Sequence, residues 1–313
     1  MNKNQPELLL NNTLEDWQKK KFSLPKNTIR VGTLFSGIGA IEHALERLKL
    51  NNEIVFACDN DLAVKKSYFA NYKITEDKWH DDVSKLNAKK YKYKVDLLVG
   101  GSPCQSFSMV GKRGGLEDTR GTLFYDFARI ISECKPKVFI FENVKGLLSH
   151  DEGETWKTIK NTFSDLGYYF SDPEILNAKH FGVPQNRNRV FVIGFRKKKW
   201  NAEFSYPRRI ELESRMQDYL EDYVDSQFYL KEKGVKFVTS LKNQSKSYTQ
   251  VNGDIALCQK ANQQFNWHGD FIFEKVSKKL KYDESLFEIK EVESKYYLSK
   301  KVENYVLSEG TKT

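Results

Sequence analysis

Five short apolar runs rich in β-branched residues punctuate the first two thirds of the chain. They are RVGTLF (30–35), EIVFAC (53–58), VDLLVG (95–100), KVFIFE (137–142) and RVFVIGF (189–195). Runs of this kind read as buried strands. The stretches between them have helical periodicity. In IEHALERLKL, Ile41, Ala44, Leu45 and Leu48 stand at i, i+3, i+4 and i+7, which predicts a helix with one apolar face. DLAVKKSYFANY, LFYDFARIISE and ETWKTIKNTFSDL repeat the pattern. Strands alternating with helices require crossover connections, so the expected class is α/β with a doubly wound, mostly parallel sheet.

After residues 197–199 the texture changes. Apolar periodicity weakens, charge thickens, and Tyr and Phe are scattered through KSYTQVNGDIALCQKANQQFNWHGDF. The expected organisation is an extension over 1–28, a main domain over 29–199 and a smaller region over 200–313. An apolar fraction of 39% with 13% aromatics argues against disorder. No apolar run approaches the ~18 residues of a spanning helix, and the N-terminus lacks the apolar core of a signal peptide. The four cysteines, Cys58, Cys104, Cys134 and Cys258, form no CxxC pair, and the five histidines no HExxH. They read as reduced thiols of a cytoplasmic protein without a metal site. The net charge of +9 permits a polyanionic partner without requiring one, and it is not concentrated at one end.

Four motifs carry chemistry. In FSGIGAIEHAL a strand ends at Phe35 and a helix opens after Gly37-x-Gly39. Glycines there let a ligand approach the backbone, and the first helical amides offer donors to an anion; a tight structural turn explains the same residues. Glu42 occupies the place of the third glycine of a dinucleotide fingerprint, which favours a smaller carboxylate, such as a methionine moiety, over a pyrophosphate. Asp59 ends the second strand about where an acid accepts from a ribose diol. Asp82 precedes the next crossover, within reach of an adenine amino group. Each acid alone suits a surface position as well; their recurrence at successive strand ends favours a ligand.

The second motif is GGSPCQSFSMVGKRGGLEDTRGTLF (100–124), with Cys104 just past a strand's carboxyl end, where open α/β sheets place ligands. Pro103 stiffens the approach, and the polar surroundings distinguish this thiol from a buried structural one. The Gly-rich, basic stretch that follows, with Lys112, Arg113 and Arg120, suits closure over a phosphate-bearing substrate. In FIFENVKGLL, Glu142 ends an apolar strand and is a candidate proton donor. In PQNRNRVFVIGF, Arg187 and Arg189 alternate, which places both on one face of a strand.

In this order, FxGxG, PCQ, ENV and QxRxR resemble the C5-cytosine DNA methyltransferases of bacterial restriction–modification systems, over about residues 30–196. The resemblance implies a Rossmann-like fold that binds S-adenosylmethionine and releases S-adenosylhomocysteine. It implies that Phe35, Gly37, Gly39, Asp59, Asn60, Asp82 and Pro103 line the cofactor site. Asn60 stands where the family often has an aromatic residue packed on the adenine. Cys104 is then the nucleophile for C6 of a cytosine flipped from double-stranded DNA. Glu142 acts at N3, Arg189 at the O2 side with Arg187 in support, and Ser108, Lys112 and Arg120 contact the DNA. Residues 29–199 become the catalytic domain and 200–313 a partial target-recognition region.

The family's TPRE-like segment and GNS-like motif, which complete the cofactor domain, are not found in this sequence. The expectation is therefore weak or no activity for the chain alone and a second polypeptide carrying those motifs. An interrupted gene and a deliberately shortened chain are the competing accounts. The rival functions are a tRNA cytosine-5 methyltransferase of the same fold, a nicotinamide oxidoreductase, which would not need Cys104, and a non-catalytic DNA-binding fragment.

Overall fold

The computed structural model describes residues 28–102, 123–221, 224, 228–246, 249–260, 267–273, 287–292 and 295–300. Pro103, Cys104, Ser108, Lys112, Arg113 and Arg120 lie outside the described residues, as does almost all of the 1–28 extension.

Eight strands form the main sheet: β1 (Ile29–Leu34), β2 (Asn52–Cys58), β3 (Trp79–His80), β4 (Leu97–Gly100), β5 (Val138–Val144), β6 (Tyr169–Phe170), β7 (Glu174–Asn177) and β8 (Asn188–Phe195). Their order is β3-β2-β1-β4-β5-β8-β6, with β7 also paired to β8. The first five in that order run parallel, and β8 pairs antiparallel with β5 and β6. All five runs expected to be strands are strands, and the sheet is of the doubly wound α/β class. The two-residue β3 and β6 are too short to show a period, so they are visible only in the tertiary structure.

The helices α1 (Ala40–Arg47), α2 (Leu62–Asn71), α3 (Leu123–Cys134) and α4 (Glu154–Asp165) coincide with the four periodic stretches. Successive side chains of a strand point to opposite faces, and β2 shows both faces buried. Phe56 and Cys58 join a large core with Phe124, Phe127, Ile130 and Ile131 of α3 and Phe163 of α4. Ala57 joins a smaller core with Tyr68 of α2 and Trp79. Ile54 lies with Ala57 three residues on, because a register shift against β1 falls between them. In the large core Phe124, Phe127, Phe139, Phe141 and Phe163 are all fully buried, with the Phe139 and Phe163 rings 4.7 Å apart.

One departure concerns α1. The expected apolar face of Ile41, Ala44, Leu45 and Leu48 is only partly used: Leu45 is buried, but Ala44 is exposed. Glu42 is buried instead, 1% exposed, because two hydroxyl groups behind the helix donate to it. Hydrogen bonds thus decide the rotation of this helix where its apolar pattern does not.

The amino edge of the sheet is clamped by Asp96, immediately before β4. Its carboxylate accepts from the Arg30 amide (3.0 Å), from Arg30 Nε (2.9 Å) and from Lys137 Nζ (2.8 Å). Three adjacent strands are thereby pinned at one end. Burial acts to raise the Asp96 pKa, but the bonds from Arg30 and Lys137 overcome it and hold the carboxyl well below the usual carboxylate range.

The chain divides into two compact units, Met1–Leu176 with Arg189–Arg208, and Asn177–Asn188 with Arg209–Thr313. The division falls nine residues beyond the 199/200 boundary expected from composition, and it assigns Asn177–Asn188 to the second unit. The first unit also holds the short α5 (Lys198–Glu203). The second contains α6 (Glu232–Thr239), α7 (Leu241–Gln244), the parallel pair β9 (Thr249–Val251) and β10 (Gly269–Phe271), and the antiparallel pair β11 (Phe287–Val292) and β12 (Lys295–Lys300). Within it Asp270 accepts from the Leu257 amide (2.9 Å) and from Gln250 Nε2 (2.8 Å).

A carboxyl group with a depressed folded pKa adds stability above its unfolded value of about 3.9 and loses it as the pH falls below that value. Asp96→Asn is therefore expected to lower the urea midpoint at pH 7, with the gap to wild type closing only below about pH 4. A gap that is equal at pH 7 and pH 2.5 would exclude the ionic clamp as its cause.

Candidate active site

The carboxyl ends of β1, β2 and β3, three neighbouring parallel strands, carry the first group of expected residues. After β1 the chain turns sharply. Phe35 has φ 53°, Gly37 φ 54° and Gly39 φ 88°. Positive φ is uncommon outside glycine, so Phe35 stores strain that its surroundings must repay. They do so with hydrogen bonds. The Ser36 amide donates to the Cys58 carbonyl (3.0 Å), and the Gly37 amide donates to Asp59 Oδ2 (2.9 Å). Gly39 begins α1; its carbonyl accepts from Tyr72 Oη (2.7 Å), and a Cβ there would stand 2.1 Å from the Tyr72 ring. At Gly37 the reverse holds, since a Cβ would enter open space. One glycine is required by packing, while the other leaves backbone accessible.

Asp59 thus has a local duty, the support of the turn. Its Oδ1 accepts from the Asp61 amide (3.1 Å), and Asp61 in turn caps α2 by accepting from Ala63 and Val64. Each Asp59 oxygen keeps lone-pair capacity beyond its one backbone donor. Asn60 is exposed. Asp82 lies two residues past β3, its Oδ1 accepting from the Ser84 amide (2.9 Å) and hydroxyl (2.7 Å), which hold its carboxyl below its ordinary value. The backbone beyond Asp82 is stapled to α3 by Arg129, which donates to the Val83 carbonyl (2.7 Å) and the Leu86 carbonyl (2.9 Å). Sequence reasoning passed over Arg129, because a cation in a helix normally reads as a solvated surface residue.

A second group gathers on β4, β5 and β8. In the parallel register Gly100 stands opposite Phe141, so Gly101 and Glu142 follow at the same level. A Cβ on Gly101 would stand 2.7 Å from Glu142 Oε2, so the glycine provides room for that carboxylate. Arg189 pairs with Val144 across the antiparallel ladder, which sets it diagonal to Glu142 on one face. Its Nε donates to Glu142 Oε1 at 2.9 Å. Asn143, buried at 3% exposure, donates through Nδ2 to the Ser102 carbonyl (2.9 Å) and fixes the exit of β4 against β5. An Asn in an apolar strand was the signal available for it.

Arg187 immediately precedes Asn188, the first residue of β8, and its Nη1 lies 3.8 Å from Cys258 Sγ. Arg187 belongs with Asn177–Asn188 to the second unit, whereas Arg189 opens the return to the first. Of the described cysteines, Cys58 and Cys134 are buried, and burial pushes each thiol up to about 12. Neither supplies a thiolate near neutral pH. Among the described residues no cluster of His, Cys, Asp and Glu could hold a metal, and no helix is long and apolar enough to cross a membrane.

The family model described as C-5 cytosine-specific DNA methylase matches residues 29–311. The chain is 42% identical over 232 residues to the orphan methyltransferase M.SPRI of Bacillus phage SPR, covering 65% of this chain and 52% of that protein. It is 44% identical over 200 residues to the type II methyltransferase M.HpaII of Haemophilus parainfluenzae, covering 63% and 54%. The chain spans about half the length of these curated relatives. Among solved structures, a DNMT2 mutant of Spodoptera frugiperda matches with a TM-score of 0.62 at 21% identity, over 79% of this chain and 75% of that one, a likeness of fold.

Removing one partner of a partly buried ion pair leaves the other incompletely compensated. Arg189→Met is expected to cost about 1–3 kcal/mol of unfolding free energy. Arg189→Lys should recover part of it, because an ammonium keeps the charge but not the guanidinium fork. Urea titration of the three proteins checks this; an unchanged midpoint in Arg189→Met would show that the pair adds nothing to stability.

Proposed function

The chain belongs to the C-5 cytosine-specific DNA methylase family, and on that premise we propose that it methylates C5 of a cytosine in double-stranded DNA with S-adenosylmethionine as methyl donor. The observation that carries this reading is the seat of Glu142. Its carboxylate is at the carboxyl edge, held by Arg189 and accommodated by Gly101, on the strand beside the one that leads toward Pro103-Cys104-Gln105.

The described residues fit the cofactor. Gly37 leaves backbone open above the turn, Asp59 retains acceptor capacity for a ribose diol, and Asp82 is partly exposed at the next strand end. The apolar side chains of Ile38 and Leu62 stand exposed at the same edge, 66% and 67%. Phe35, Gly37, Gly39, Asp59, Asn60, Asp82 and Pro103 would hold it. When bound, S-adenosylmethionine supplies an electrophilic methyl group on its sulfonium.

C5 of cytosine is a poor nucleophile and lies within a stacked duplex, so the base must first swing out. The Cys104 thiolate forms a bond to C6 while Glu142 delivers a proton to N3, and the electron pair of the 5,6 double bond becomes available at C5. Arg189 fixes the Glu142 carboxylate and reaches the O2 side of the base, with Arg187 in support. When C5 has been methylated and loses its proton, the electrons left behind break the C6–S bond and free the thiolate. Sulfur suits both halves, as a good nucleophile and a good leaving group. Ser108, Lys112 and Arg120 would contact the DNA, and the second unit would carry part of sequence recognition. The relatives named type II methyltransferases support a role in protecting DNA within a restriction–modification system.

Transfer of tritiated methyl groups to duplex DNA and to tRNA tests the proposal, with the chain alone and mixed with a polypeptide carrying the TPRE-like and GNS-like motifs. Incorporation into DNA, abolished in Cys104→Ser, is expected. Incorporation into tRNA instead, or incorporation that survives Cys104→Ser, would overturn it.

A further inference from the structure

The buried carboxylate of Glu42 has no part in the chemistry above, yet it is wired to the turn that would receive the cofactor. Its Oε1 accepts from Thr33 Oγ1 on β1 (2.9 Å) and from Tyr68 Oη on α2 (2.5 Å). Among the described residues its Oε2 has no partner. Thr33 Oγ1 lies 3.0 Å from Ser36 Oγ, inside the turn. Ser36 Oγ in turn accepts from the Cys58 amide (3.0 Å), at the end of β2 beside Asp59.

The order of donors along this chain is determined. A hydroxyl carries one hydrogen. Thr33 spends its hydrogen on Glu42, so the Thr33–Ser36 bond exists only with Ser36 as donor. The Ser36 hydrogen also faces the Cys58 carbonyl (3.1 Å) and the Thr33 carbonyl (3.3 Å), both acceptors. Without an acceptor at position 42 the Thr33 hydrogen is released and can turn on Ser36 Oγ, and without the Thr33 hydroxyl Ser36 loses its link to Glu42. In either case Ser36 Oγ has only the two carbonyls to donate to and is no longer fixed toward the Cys58 amide. The phenol of Tyr68 has its pKa pushed up, by burial first and by Glu42 second, so it remains a donor at ordinary pH.

We propose that Glu42 is a positioning residue for the turn at residues 35–39, acting through Thr33 and Ser36 as the terminal acceptor of a one-way hydrogen-bond chain. Its effect on a bound ligand rests on the cofactor reading above; its effect on the turn does not. Because both bonds end on one oxygen, a glutamine preserves them. Its carbonyl takes the place of Oε1, and its amide nitrogen that of the unpartnered Oε2.

The test compares the 313-residue chain with its Glu42→Gln, Glu42→Leu and Thr33→Val variants in two measurements. Amide hydrogen exchange should accelerate at least tenfold at Cys58 and Gly37 in Glu42→Leu and Thr33→Val, stay near wild type in Glu42→Gln, and change little at Val99 in β4. Calorimetric titration with S-adenosylhomocysteine should show roughly tenfold weaker binding in Glu42→Leu and in Thr33→Val. The double variant should be no more than about twofold weaker than either, because both cut one chain, and Glu42→Gln should lie within about threefold of wild type. Should Glu42→Leu not fold, Thr33→Val, which removes a single hydroxyl, carries both measurements. Unchanged exchange at Cys58 and Gly37, losses that multiply in the double variant, or a Glu42→Gln as impaired as Glu42→Leu would overturn the proposal. A wild-type chain that does not bind S-adenosylhomocysteine would refute the cofactor reading, while the exchange data still decide the role of Glu42 in the turn.

Discussion

Between β1 and β4 the chain reverses the direction in which it lays down strands. The connection after β1 leads to β2 on one side, and that after β4 leads to β5 on the other. Connections that part in this way leave the carboxyl edge open above the pair, the place where sheets of this class receive ligands. Phe35, Gly37 and Gly39 follow β1 there, Asp59 and Asn60 follow β2, Asp82 follows β3, Glu142 stands on β5 and Arg189 on β8. The opposite edge bears the complementary burden. Asp96 ties β1, β4 and the residue before β5 together there through Arg30 and Lys137, which keeps the parallel strands level.

Two glutamates divide the work between core and edge. Glu42 lies inside, where burial of a carboxyl group is costly unless it is hydrogen-bonded, and two hydroxyl donors meet that cost. Glu142 lies at the edge, one third exposed, paired with a guanidinium and left within reach of a ligand. The aspartates combine both functions. Asp59 and Asp82 shape their own loops through backbone donors while their carboxylates stay partly accessible. Local hydrogen bonding therefore sets the shape of these loops from within the chain.

Much of this was legible in the residues. A run such as KVFIFE, in which fully buried Phe139 and Phe141 alternate with partly buried residues, carries its assignment in composition, and so do the amphipathic stretches that became α3 and α4. The FxGxG turn was equally visible, since the glycine positions announce backbone that other residues avoid. What escaped were residues whose partners lie far away in the chain. The Arg129 staple joins positions more than forty apart, and Asn143 reaches back to Ser102 over a similar span. Helical spacing predicts an α1 face of Ile41, Ala44, Leu45 and Leu48, whereas the buried residues are Glu42 and Leu45, because the hydroxyl donors of Glu42 lie on other segments.

The sequence by itself determined the class of fold and the order of the motifs, because periodicity and glycine placement are local properties that each segment carries alone. It also offered candidates for thiol addition, for proton delivery and for recognition of a sugar and base. Only the tertiary structure decided which of them meet: Arg189 with Glu142, Glu42 with Thr33 and Tyr68, Arg187 with Cys258. Such pairings depend on strand register and helix rotation, which are set by the packing of the whole sheet and by hydrogen bonds between segments remote in the chain.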